Sequence, residues 1–163
     1  MLSNAVEKAI NDQIKNELYS AYLYLSMSAY LESANLPGMA RWMRLQSDEE
    51  MSHAMKFFDY VYDRGGRVVL QAIDQPPAEF GSPLDVFEKA LAHEKKVTGM
   101  INQIYDLAVK ENDYPSQIEL QWFITEQVEE EKSAGDIVEL LKVIGDHGPS
   151  IIMVDTQLGA RQG

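Results

Sequence analysis

Between Gly66 and Ser82 the chain reads GRVVLQAIDQPPAEFGS, a stretch with no helical period and with Pro76-Pro77 near its centre. On each side lie two long segments of helical pattern joined by a short turn, so each side forms an antiparallel helical hairpin. Fully extended, these roughly 17 residues cover roughly 55 Å. A 28-residue helix such as the one that follows spans roughly 42 Å. The stretch therefore reaches from one end of a bundle to the other, and the topology is an all-α four-helix bundle with one long crossover. A short strand within VVLQAI is the competing reading. It fails because one isolated strand has nothing to pair with.

The helix boundaries carry their own signals. The first segment starts at the N-cap Ser3 and ends near Ser33, with Val6, Ile10, Ile14, Leu18, Ala21, Leu25 and Ser28 as its inward stripe. Asn35-Leu36-Pro37-Gly38 breaks it. The second runs to Asp63 or Arg64 and stops at Gly65-Gly66. The third starts at Ser82-Pro83, a cap followed by proline at the first helical position, and runs to about Lys110. The fourth begins near Asp113-Tyr114-Pro115 and ends near Gly145. A short fifth helix follows Pro149, through Ile151, Ile152 and Val154 to Leu158. The whole chain, 1–163, is expected to form one domain.

Polar residues interrupt the apolar stripes in a repeated pattern. The interval from Glu17 to Glu50 equals that from Glu94 to Gln127, and the interval from Glu17 to His53 equals that from Glu94 to Glu130. The two hairpins thus carry one constellation, displaced along the chain by the distance from Glu17 to Glu94. Counting helical rise back from each turn puts Glu17 level with Glu50, and Glu94 level with Gln127 and Glu130. Glu50 and His53, one helical turn apart, share a helix face with Met43, Phe57 and Val61. Pairing the hairpins brings all six polar side chains to the bundle centre. Buried carboxylates so close together repel and resist desolvation unless a cation compensates them. Four of them carry about four negative charges, which two divalent ions neutralise. Oxygen donors with one imidazole suit iron or manganese better than thiolate-seeking metals.

Composition narrows the function further. The formal net charge of −12 disfavours nucleic acid and anionic membrane surfaces and attracts cations. With no cysteine there is no disulfide framework and no thiolate metal site. MLSNAVEKAINDQ lacks a secretion signal's basic start and apolar run, and no stretch approaches the roughly 20 apolar residues of a membrane span. A cytoplasmic protein is expected.

ELYSAYLYLSMSAY (17–30), EEMSHAMKFFDYVYDRGGRV (49–68) and LQWFITEQVEEEKSAGDIVELL (120–141) together resemble a prokaryotic non-haem ferritin, and the likeness extends over nearly the whole chain, crossover and short last helix included. The resemblance implies a ferritin-like bundle assembled into a hollow homo-oligomeric cage of roughly 24 subunits. It implies ferroxidase activity: Fe(II) oxidised by dioxygen or peroxide at a di-iron centre within each subunit, with ferric mineral stored inside. Carried over by position, Glu17, Glu50 and His53 hold the first iron, with Glu50 bridging. Glu94 and Glu130 hold the second, with Gln127 beside it. Tyr24 lies next to the centre, and Glu49, Glu126 and Glu129 supply a third, looser iron site. One histidine among the six positions and a neutral amide at Gln127 give weaker ligation than a site with two histidines, so the second iron is expected to be held as substrate. Met51, placed where bacterioferritins bind haem, is read as interface packing, and haem is not expected. The family's three-fold entry channel would draw on Asp113 and Glu119, with Gln117 and Leu120 standing where further acids are expected.

Plainer readings compete at several positions. EQVEEEK is equally a solvated acidic face, and Tyr24 equally a packing residue among Tyr19, Tyr22 and Tyr30. His93 and His147 are expected at the surface, and Trp42 and Trp122 in packing. A discrete di-iron enzyme would want two histidines and often a cysteine cluster. A metal-free scaffold would be stabilised by replacing Glu17, Glu50 and Glu94 with leucine. A mini-ferritin would put its iron sites between subunits.

Overall fold

A computed structural model describes all 163 residues as five helices and no strand: α1 Asn4–Ser33, α2 Pro37–Asp63, α3 Pro83–Lys110, α4 Tyr114–Ile144 and α5 Gly148–Gly159. Ser3, Ser82 and Asp113 cap α1, α3 and α4, accepting from the N–H groups of Val6, Asp85 and Ser116 at 3.3, 3.1 and 3.3 Å. The α1–α2 and α3–α4 turns each place an asparagine in the left-handed region, Asn35 at φ 59° and Asn112 at φ 54°. Asparagine tolerates that conformation better than most residues. Asn35 and Asn112 are separated by the same interval as Glu17 and Glu94, so the internal repeat extends to the turns. No helix is long and apolar enough to cross a membrane.

The crossover is not a strand. It runs along α1, tied down by side chains rather than by a ladder. Asn11 accepts from the Val69 N–H at 2.7 Å and donates to the Arg67 carbonyl at 3.0 Å; Gln71 donates to Asp12 at 2.8 Å; Ser26 donates to the Pro77 carbonyl at 2.5 Å. Phe80 then enters the core, edge-on to Tyr30 at 5.4 Å.

The core is in two pieces. One, around Tyr24, Met27, Leu31, Met39, Met43 and Phe87, fills the end nearest the short turn of the first hairpin. The other, around Val6, Ile10, Phe57, Ile101, Leu120 and Phe123, fills the opposite end, where Phe57 and Phe123 stack at 3.8 Å. Every long helix crosses from one to the other through a polar position: Glu17 between Ile14 and Tyr24, Glu50 between Met43 and Phe57, Glu94 between Ala90 and Val97, Glu130 between Phe123 and Ile137.

One expectation is corrected here, and two acids expected at a channel are found paired. Leu25 is 47% exposed and Leu18 only half-buried. The inward line of α1 runs instead through Glu17, Ala21, Tyr24, Met27 and Leu31, while Leu18 and Leu25 line an apolar surface groove with Tyr22, Met51 and Ile73. Asp113 is buried as the α4 cap and pairs with Arg64 at 2.9 Å, so its carboxylate is engaged within the subunit. Burial works against its charge, but hydrogen bonds from Ser116 and Arg64 outweigh that and hold its pKa below the usual range. Glu119 pairs with Lys56 at 2.9 Å. Both acids expected at the family's entry channel thus hold an ion pair within the subunit.

α5 docks on the start of α2. Leu36 supplies no side-chain cap to α2, and Asp155 of α5 takes over, accepting from the Met39 N–H at 2.8 Å across 116 residues of sequence. The approach requires glycine: a Cβ on Gly38 would lie 1.8 Å from the Asp155 carbonyl oxygen, and one on Gly159 would lie 2.9 Å from Gly38 Cα. Gly38→Ala should therefore unseat α5, and Asp155→Ala should cost about 1–3 kcal/mol by orphaning a buried N–H. Hydrogen exchange over residues 150–158 and thermal unfolding check both; unchanged protection in Gly38→Ala would refute the docking.

Candidate metal centre

The polar layer between the two cores gathers a contribution from each long helix. Glu17 comes from α1, Glu50 and His53 from α2, Glu94 from α3, and Gln127 and Glu130 from α4. All six are buried, Glu130 least so at 6% exposed. Ligand atoms of Glu17, Glu50 and His53 lie within 4.8 Å of one another, as do those of Glu50, Glu94 and Glu130, and those of His53, Glu126 and Glu130. Glu50 belongs to two of these groups, and so does Glu130.

Hydrogen bonds orient the carboxylates. Gln13 donates to Glu17 at 2.7 Å, and Gln46 donates to both Glu130 at 2.6 Å and Glu50 at 3.2 Å. Tyr24 donates its hydroxyl to Glu94. The Gln127 amide faces Glu94 Oε2 at 3.1 Å, the Glu94 carbonyl at 3.2 Å and Thr98 Oγ1 at 3.1 Å, three acceptors for two hydrogens. Thr98 Oγ1 in turn donates to Glu131 at 2.7 Å. His53 Nδ1 lies 3.4 Å from Glu50, and Trp122 sits edge-on to the imidazole at 5.5 Å.

The charges do not balance. Glu17, Glu50, Glu94 and Glu130 have no lysine or arginine at ion-pair distance; their sole partner of that kind is His53. Burial, reinforced by the charge of Glu50, pushes the Glu17 carboxyl well above its usual range. Burial and then the Glu94 charge do the same for Glu50. Burial also raises Glu94, against hydrogen bonds from Tyr24 and Gln127, and lifts Glu130 to about 8 with help from the charges of Glu94 and Glu49. Tyr24 is raised for the same reasons, burial first and then Glu94. One oxygen, Glu17 Oε2, is buried without any donor. A proton shared with Glu50 or a cation answers that orphaned oxygen, and the charge of the four acids is answered by protons in the metal-free chain or by bound cations. The donor set, carboxylate oxygens plus one imidazole, fits divalent iron or manganese.

The acids of the expected third site are divided. Glu126, half-buried, reaches 3.9 Å from His53 Nε2 and joins Glu130 in the third group. Glu129 is exposed and outside all three groups, and Glu49 is engaged by Arg161 at 2.6 Å. His93 departs from expectation. It is half-buried against Tyr19 and Tyr24, with Nε2 2.7 Å from Ser20 Oγ, and burial followed by the nearby Lys96 charge lowers its pKa to about 4. His147 is exposed. Trp42 is buried against Phe87, whereas Trp122, 42% exposed, packs on the site histidine. Gln13 and Gln46 escape a search for charged ligands. Each does stand one turn before a site glutamate, Gln13 before Glu17 and Gln46 before Glu50. On one helix face that spacing lets a side-chain amide donate to the carboxylate.

Comparison with known proteins finds relatives over nearly the whole chain. The model of the ferritin-like domain matches residues 7–144. A bacterial non-heme ferritin from Bacteroides fragilis is 44% identical over 161 residues, covering 99% of this chain and 100% of that protein. One from Campylobacter jejuni is 39% identical over 155 residues, 95% and 93% of the two chains. Among solved structures, an open pore ferritin from the hyperthermophilic archaeon Archaeoglobus fulgidus superposes with a TM-score of 0.99 at 48% identity, over 99% of this chain and 100% of that one.

Because these carboxyl pKa values are raised, the folded chain holds protons that the unfolded chain releases above its ordinary 4.5. Metal-stripped protein should therefore lose stability as pH rises from about 5 to about 8, and saturating zinc(II) should abolish that loss while releasing about one proton or more per chain. Thermal unfolding against pH, with and without zinc, checks the sign. A metal-free profile that stays flat or rises over this window would contradict the uncompensated acids.

Proposed function

The chain belongs to the ferritin family, and on that premise we propose that it is a ferroxidase that stores iron: it oxidises Fe(II) at the centre of each bundle and keeps the ferric product inside a homo-oligomeric cage of roughly 24 subunits. The observation that carries this reading is the sharing of Glu50 between two ligand groups, Glu17–Glu50–His53 and Glu50–Glu94–Glu130. A carboxylate common to two sites bridges two ions at close range. Two adjacent ferrous ions can then give up two electrons to one molecule of dioxygen or peroxide, and a pair of metals clamps the oxidant between them.

The chain's own residues do the remaining work. The apolar layers above and below exclude water from the polar layer, which strengthens each charge interaction within it. Gln13, Gln46, Tyr24 and Gln127 hold the carboxylates in place before iron arrives. Protons held by Glu17, Glu50 and Glu130 leave when ferrous ions bind, so uptake is favoured as pH rises. The second position offers oxygen donors alone, with the Gln127 amide turned toward Glu94. Its iron is bound weakly enough to leave after oxidation, and iron is substrate there rather than resident cofactor. The apolar groove of Leu18, Tyr22, Leu25, Met51 and Ile73 supports assembly with further copies of the chain.

Ferrous iron added in air far beyond two ions per chain tests the reading. A large assembly that oxidises the excess and keeps it in solution is expected. Oxidation that stops at two ions, with the iron retained, would mark a discrete di-iron enzyme instead. His53→Ala and Glu130→Ala should each slow the fast oxidation at least roughly tenfold while the assembled mass is unchanged; unaltered kinetics in both would remove these residues from the site.

A further inference from the structure

Residues 160–163 turn back along α2, close enough that a Cβ on Gly163 would meet Leu45 at 3.1 Å. This places the Arg161 guanidinium, largely buried, against three groups of α2. Nη2 donates to Glu49 Oε2 at 2.6 Å, while Nη1 donates to Gln46 Oε1 at 3.1 Å and to the Trp42 carbonyl at 3.3 Å, and the charge lies 4.6 Å above the Trp42 ring. The rigid fork of arginine satisfies these acceptors together; the point charge of lysine would not. The same Gln46 uses its NH₂ on Glu130 and Glu50. One guanidinium thus meets both a rim acid and, through a single amide, two acids of the centre.

We infer that Arg161 is a built-in competitor for a third ferrous ion: by holding Glu49 it withholds that carboxylate from an ion at Glu126, which lies by His53 and Glu130. The inference rests on the ferroxidase reading above. An ion entering beside Glu126 must displace the guanidinium from Glu49 or do without that ligand, and it meets a fixed positive charge at close range in either case. Arg161 is a positioning residue and touches no reacting atom.

Binding of zinc(II), which stays in one oxidation state and so separates binding from turnover, tests this on the assembled full-length protein by calorimetry and equilibrium dialysis. Two tight ions per chain and one weak ion are expected. Arg161→Gln should tighten the weak ion about tenfold and leave the tight pair within about twofold. Arg161→Lys, which keeps a positive charge beside Glu49, should leave the third ion weak. In a Glu49→Gln background, removal of Arg161 should tighten the third ion clearly less than it does in the unaltered protein. A third ion unaffected by Arg161→Gln would overturn the inference, as would an equal tightening in the Lys variant or in the Glu49→Gln background. Failure of the unaltered protein to bind two tight ions is a different result: it overturns the ferroxidase reading, and this inference with it.

Discussion

Four carboxylates buried at the waist of the bundle without a fixed cation set the terms for everything else in this structure. A bundle of this size with an uninterrupted apolar core would be the more stable object, since isolated charges in a dry interior are costly and buried polar networks rarely offset their desolvation. The chain instead splits its core in two and lodges the acids between the halves, each half anchored by large side chains, Met39, Met43 and Phe87 at one end and Phe57 and Phe123 at the other. The apolar layers can carry the fold while the layer between them answers to charge. On the proposed function, that separation would let the centre exchange ions without the bundle coming apart.

The surrounding donors show how the acids are tolerated before any ion arrives. Gln13, Gln46, Gln127 and Tyr24 are neutral. They direct hydrogen atoms at the carboxylates but leave net negative charge in the layer, so the site stays attractive to cations. A lysine or arginine there would satisfy the same oxygens and close the site. The one guanidinium nearby, that of Arg161, stays on the rim and reaches the inner acids only through Gln46. His93 follows the same logic on the far side of Tyr24: buried against Ser20 and two tyrosine rings, it is kept neutral and adds no charge to the layer.

Much of this was legible in the sequence because it follows from period and spacing. The constant offset between the hairpins places the six polar positions at one depth, and the crossover length dictates the hairpin pairing. What was not legible depends on contacts far apart in the chain. Leu25 fits the helical stripe of α1, yet faces outward, because Glu17 and Tyr24 take the interior line that apolar counting assigned elsewhere. Asp113 looks like a free acid until Arg64, 49 residues away, is seen to claim it. Asp155 reads as a surface charge on a short helix, and its task of capping α2 appears only once Gly38 and Gly159 let two backbones meet. Gln46 sits one turn before Glu50, a local signal, but its second acceptor, Glu130, is 84 residues away.

The two halves of the centre are unlike in a way that the internal repeat would not lead one to expect. When one hairpin is laid on the other, His53 corresponds to Glu130 and Glu50 to Gln127. The first hairpin therefore contributes an imidazole where the second contributes a carboxylate, and a carboxylate where the second contributes an amide. The first group, Glu17–Glu50–His53, holds the one buried oxygen without a donor. Carboxylates of both groups accept a hydrogen bond, Glu17 from Gln13, Glu94 from Tyr24 and Gln127, Glu130 and Glu50 from Gln46, so the groups differ in the bare Glu17 Oε2 and in the imidazole. On the proposed function, an ion binds first where the bare oxygen and the imidazole are, and the second ion enters a position that is oriented but only loosely held. A duplicated hairpin has thus become a directional pair, and the direction comes from two substitutions and the hydrogen bonds that surround them.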